Sequence, residues 1–65
     1  MKIRLNGRDH DTAATTLSDL LAAEGLASGF VATAVNGAFV PRGERPSTPL
    51  REGDAVEVVS PRQGG

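Results

Sequence analysis

FVATAVNGAFVP, running from Phe30 to Pro41, holds a strand, its turn and its return in one stretch. Asn36-Gly37 offers the two positive-φ positions of a type I′ turn, whose twist matches that of two neighbouring antiparallel strands. Before it, Phe30–Asn36 is apolar on both faces, Val31 and Val35 on one, Ala32 and Ala34 on the other, with Thr33 between. After it, Ala38-Phe39-Val40 pairs back until Pro41, which has no N–H to give a ladder, ends the strand. This is a hairpin, and the rest of the chain can be read outward from it.

Toward the N-terminus the same device recurs. Met1–Asn6 alternates, with Ile3 and Leu5 on one face and Lys2 and Arg4 on the other, which is the pattern of a half-buried strand. Asn6-Gly7 turns it, and Arg8–Ala13 returns as a polar strand whose charges suit a sheet edge. Between the hairpins, Thr16-Leu17-Ser18-Asp19 has the form of a capping box, Thr16 accepting from an orphan N–H and Asp19 reaching back. Leu17, Leu20 and Leu21 form one apolar stripe at helical spacing. Gly25 suits a left-handed cap, and Leu26 suits the apolar contact that accompanies it. A helix is predicted from Leu17 to Glu24.

Toward the C-terminus, Arg42–Pro49 is expected to be a loop, since it holds two of the chain's four prolines. Leu50 plugs the core from a short turn, and Glu52-Gly53-Asp54 makes another. Ala55–Ser60 (AVEVVS) is the last strand, Pro61 stops it, and Arg62-Gln63-Gly64-Gly65 projects beyond. The order is β-β-α-β-β-β, with the first and last strands as the natural central pair. That predicts an α+β fold of the β-grasp, or ubiquitin-like, kind: a mixed sheet of about five strands with one main helix on one face. Residues 1–60 form the domain and 61–65 a flexible tail. A single helical stripe covers one face of the sheet, so Phe39 and one set from Val31–Val35 are left as a candidate docking surface.

Composition narrows the function. Sixty-five residues make one domain near the lower limit for a self-supporting core, with no room for a usual catalytic cleft besides. Only two residues are aromatic, so Leu, Val, Ile and Ala must build the core. A net charge of −1 gives no footprint for nucleic acid or an anionic membrane. Cysteine is absent, which removes thiol catalysis, disulfides and thiolate metal sites together. No apolar run reaches the 18 or so residues needed to span a bilayer, and Met1 leads directly into strand-like sequence, so the cytoplasm is the expected location.

The candidate chemistry lies at the end. Gly64-Gly65 leaves an α-carboxylate on a thread without side chains, the one group here that an ATP-using partner can reach and activate. Glycine averages about 7% of residues, so such a pair at one given place is roughly a 1-in-200 coincidence. It is a more frequent one in this glycine-rich chain, and the pair gains its force from the domain before it. Other motifs read as architecture. In Asp9-His10-Asp11 the histidine of a strand points away from both aspartates, so no metal site is expected. Asn6-Gly7 and Asn36-Gly37 are turns, not phosphate loops. Glu52 and Asp54 flank a turn without a pocket for acid–base work. Arg42 and Arg62 are candidate contacts to an activating enzyme.

AVNGAFVPR (Ala34–Arg42), LREGDAVEVVSP (Leu50–Pro61) and the Gly64-Gly65 end together resemble the ThiS family of sulfur carriers in bacterial thiamine synthesis. The resemblance spans the whole chain. Many members carry a tryptophan shortly after VPR, where this chain has Arg45-Pro46. The resemblance implies a non-enzymatic carrier with Gly65 as the reacting residue and Gly64 as its threading partner. It also implies no bound cofactor, with ATP used by the partner enzyme. An E1-like adenylyltransferase (ThiF type) would form an acyl-adenylate on the Gly65 carboxylate. A sulfur donor such as a cysteine-desulfurase persulfide would convert it to a thiocarboxylate, and thiazole synthase (ThiG type) would take the sulfur. Three alternatives stand beside this: a molybdopterin-synthase small subunit or other β-grasp carrier, a ubiquitin-like modifier joined to lysines, and a β-grasp binding module.

Overall fold

The computed structural model describes residues 1–27 and 29–60. Five strands and one α-helix account for most of it: β1 (Lys2–Leu5), β2 (Arg8–Asp11), α1 (Leu17–Ala23), β3 (Ala32–Val35), β4 (Ala38–Val40) and β5 (Ala55–Val59), with a 3₁₀ helix over Arg42–Ser47. The sheet runs β2-β1-β5-β3-β4. β1 and β5 pair in parallel and every other neighbour is antiparallel, so the sheet is mixed and β5 lies at its centre. The first and last strands are adjacent, as the strand order predicted.

Both Asn-Gly turns form as expected. Asn6 and Gly7 sit at φ 52° and 82°, Asn36 and Gly37 at 51° and 84°. Such left-handed angles are cheap for glycine and tolerated by asparagine. The alternation that follows fixes the faces. Ile3, Val56 and Val58 point toward α1 and are buried, joined there by Val40 and Leu50. The helix contributes Leu17, Leu20 and Leu21, each at most 3% exposed, which completes the core.

The helix ends show which backbone groups needed partners. Thr16 Oγ1 accepts from the Asp19 N–H at 3.1 Å, half of the predicted capping box. The Asp19 carboxylate does not complete it and instead takes the Thr15 hydroxyl at 3.3 Å. Aspartate is one methylene shorter than the glutamate that usually closes a box. At the far end Gly25 lies at φ 73°, the Leu26 N–H reaches the Leu21 carbonyl at 2.8 Å and the Gly25 N–H reaches Ala22 at 3.2 Å. This pair of bonds is a Schellman motif, and Leu26 packs half-buried against the core as its apolar seal.

Two expectations need correction. Arg42–Ser47 is a 3₁₀ helix where a loop was expected. The Pro41 carbonyl accepts from the Glu44 N–H at 2.9 Å and that of Arg45 from the Thr48 N–H at 3.3 Å. Pro46 is tolerated because a short 3₁₀ segment asks little of its N–H. Phe30 and Val31 also fall outside β3, which begins at Ala32. Beyond the 3₁₀ helix, the Leu17 N–H donates to the Thr48 carbonyl and the Leu50 N–H to that of Thr15, stitching this connection to the start of α1.

Candidate functional site

β5 carries the chain toward residues 61–65, and the structure grips it from both sides. Besides its two ladders, the Asn6 side chain accepts from the Val58 N–H at 2.8 Å and donates to the Val58 carbonyl at 3.1 Å. The β1 backbone turns away at Gly7, so this amide continues the β1–β5 pairing in place of main chain. Asn36 does the same near the other end of the strand. Its Oδ1 accepts from the Ala55 N–H at 2.9 Å, and its own N–H donates to the Ala55 carbonyl at 2.7 Å. The two turn asparagines are therefore also clamps on the strand that leads to the candidate site. Gly64, Gly65 and Arg62 lie outside the described residues.

The sheet face away from α1 divides into two parts. Lys2, Arg4, Asp9 and Asp11 occupy the β1–β2 end, where Arg4 stands opposite Asp9 and Lys2 opposite Asp11. The other end is apolar except for Glu57, which pairs with Ala34. Phe39 pairs with Ala34 and Val59 with Ala32, and the two large side chains are 68% and 59% exposed. Val59 was not singled out in the sequence, although the alternation in AVEVV places it opposite the buried Val58. Val35, grouped with Phe39 from the sequence, is on the other side: it pairs with Val56 and packs half-buried against the core. Phe39 and Val35 consequently cannot share one outer surface: Phe39 shares a face with its partner Ala34, and Val35, the next residue along β3, points to the opposite face.

Arg42 is exposed at the start of the 3₁₀ helix, beside Phe30, Val31, Ala32, Phe39 and Arg45 around an open groove of about 440 Å³. Arg45 is the residue that sequence reasoning missed as a structural element. It is only 7% exposed. Its Nε donates to Thr33 Oγ1 at 3.0 Å and its Nη2 to the Val31 carbonyl at 2.6 Å. The Thr33 hydroxyl donates in turn to the Val40 carbonyl at 2.8 Å. The signal was the Arg45-Pro46 departure from the family pattern after Val40-Pro41-Arg42.

His10 faces the helix, opposite Ile3 in the ladder, and its Nε2 lies 2.8 Å from Glu24 Oε2. Asp9 and Asp11 point to the other face, so the three side chains do not converge. Among the described residues no three acidic or imidazole groups gather into a metal-binding cluster. None of the described helices is long and apolar enough to cross a membrane.

Comparison with known proteins agrees with this geometry. The sequence model of the ThiS family matches residues 3–65. The chain is similar to the crystal structure of a thiamine biosynthesis protein (ThiS) from Geobacter metallireducens, with a TM-score of 0.86, 28% identity and full coverage of both chains. It is also similar to the solution structure of a thiamine biosynthesis protein from the same organism. There the TM-score is 0.80 and the identity 30%, over all of this chain and 88% of the other. No curated protein sequence matches it.

Proposed function

This chain belongs to the ThiS family, and from that premise we propose that it is a sulfur carrier of thiamine biosynthesis. It is acted on by enzymes and is not one itself. The observation that supports this most is the placement of the last strand. β5 sits at the centre of the sheet between β1 and β3, clamped by Asn6 and Asn36, and the family match continues through the residues that follow it. Such an arrangement anchors the strand after which the proposed reacting residues follow in sequence.

The proposed chemistry follows from what a carboxylate lacks. Its oxygen is a poor leaving group, so the Gly65 carboxylate attacks the α-phosphate of ATP in an E1-like adenylyltransferase, releasing pyrophosphate and forming an acyl-adenylate. A persulfide sulfur from a donor such as a cysteine desulfurase then displaces AMP. A thiol reductant cleaves the resulting sulfur–sulfur bond, leaving the thiocarboxylate and returning the donor cysteine as a thiol while the reductant is oxidised to a disulfide. Splitting one hard substitution into two easier ones is the general gain of covalent activation. Thiazole synthase then accepts the sulfur. Gly64 and Gly65 have no Cβ, so the backbone fits a narrow channel and takes whatever φ and ψ the enzyme imposes. At about 3.3–3.6 Å per extended residue, the segment from Ser60 onward could extend roughly 20 Å, enough to reach a buried site while the domain stays outside.

Phe39, with Val59 beside it, is the proposed surface on which the partner enzyme rests, and Arg42 and Arg62 are proposed charged contacts. Incubation with the cognate adenylyltransferase and ATP is expected to release pyrophosphate with the full chain and not with a chain lacking Gly65. Equal release from the shortened chain overturns the role given to that residue.

A further inference from the structure

Arg45 is a buried cation without a countercharge among the described residues. A guanidinium taken out of water usually meets a carboxylate, because neutral acceptors replace its hydration incompletely. Here Thr33 Oγ1 and the Val31 carbonyl satisfy Nε and Nη2, and both are neutral. Among the described residues the one ion pair is His10–Glu24, whose histidine lies on β2 at the far edge of the sheet from β3 and β4. Arg42 lines the same groove and is likewise without an acidic partner among those residues. Two arginines thus border one depression whose remaining walls are apolar. Phe30 and Phe39 stand at its rim, 84% and 68% exposed, an unusual amount of phenyl surface in water for so small a domain.

We propose that this groove receives an acidic, apolar segment of a partner protein, with a carboxylate seated between Arg42 and Arg45 and flanking apolar side chains on Phe30 and Phe39. Charge complementarity argues for that occupant. Two guanidinium groups ask for an anion, charge-assisted bonds to a carboxylate are the strong ones for arginine, and the phenyl walls ask for carbon. A carboxylate arriving from outside supplies the countercharge that Arg45 lacks among the described residues of its own fold. The inference extends the docking half of the proposed function and rests on it, but it does not depend on any reaction at Gly65.

The test is an NMR titration of the full chain with a hexapeptide of alternating valine and glutamate, against its valine–glutamine counterpart. The backbone amides of Val31, Ala32, Phe39 and Arg42 and the Arg45 side-chain Nε–H are expected to shift saturably with the acidic peptide and much less with the neutral one. Arg42→Glu is expected to weaken the acidic peptide about tenfold. Phe30→Ala, at a site exposed enough to leave folding alone, is expected to weaken it as well. Three results overturn the proposal: no shift at these positions, equal shifts with both peptides, or the same resonances moving when residues 61–65 are removed in the absence of peptide. The last would make the chain's own tail the occupant. Failure of pyrophosphate release in the preceding test leaves this readout untouched, so the two ideas fail separately.

Discussion

Arg45 and Asn6 show how much one side chain contributes when backbone alone cannot finish the structure. Arg45→Ala removes the donor to Thr33, the donor to Val31 and the hydrocarbon that covers β3. A loss of about 2–3 kcal/mol is expected, in the range of broken buried networks. Arg45→Met keeps most of the covering surface and removes a buried charge held only by neutral acceptors, so it should cost only about 1 kcal/mol. Urea midpoints should therefore fall in the order wild type, Met, Ala, with unchanged m-values. An alanine variant as stable as wild type would refute the network's importance. For Asn6, alanine loses both bonds to Val58 and must hold a left-handed φ, whereas glycine loses only the bonds. Asn6→Gly is expected to be more stable than Asn6→Ala by about 1 kcal/mol, reversing the usual order of the two residues. The sequence revealed Asn6-Gly7 as a turn, but not the asparagine's second use. Turn type is written in neighbouring residues, while a bond to Val58 depends on a strand far along the chain.

At the level of elements, the caps decide whether the short helix α1 holds. Thr16→Ala removes the acceptor for the Asp19 N–H and is expected to cost about 1 kcal/mol. Gly25→Ala forces a Cβ into φ 73° and is expected to cost about the same. Thermal unfolding followed by circular dichroism tests both, and a Gly25→Ala variant that melts at or above wild type would contradict the Schellman assignment. The elements were legible because their signals are local: two Asn-Gly turns, a capping box, a helical leucine stripe and a period-two strand. What escaped was the 3₁₀ helix over Arg42–Ser47 and the face of Val35. The prolines in that stretch argue against a regular helix, and its order comes from Arg45 reaching β3, a contact no local pattern encodes. Phe30–Val35 is apolar on both sides, so its alternation does not say which side turns inward. The register with Val56 and Val58 decides it.

Across the whole molecule, the ββαβββ order, the mixed sheet and the single covering helix are legible in the sequence, because so short a chain leaves few ways to bury one leucine stripe. The helix side holds the core, and the opposite side is charged at β1–β2 and mostly apolar around Phe39 and Val59, with Glu57 among them. The central strand then leads the chain on toward Gly64 and Gly65. That division of labour fits a body built to be held by a larger enzyme while its end is worked on. The most direct test is the intact mass of the full chain after incubation with its cognate adenylyltransferase, ATP, a sulfur donor and a reductant. Exchange of one oxygen for sulfur, located by fragmentation at Gly65, is the expected result. A mass left unchanged by an enzyme shown to be active, or sulfur found on any other residue, would contradict the account.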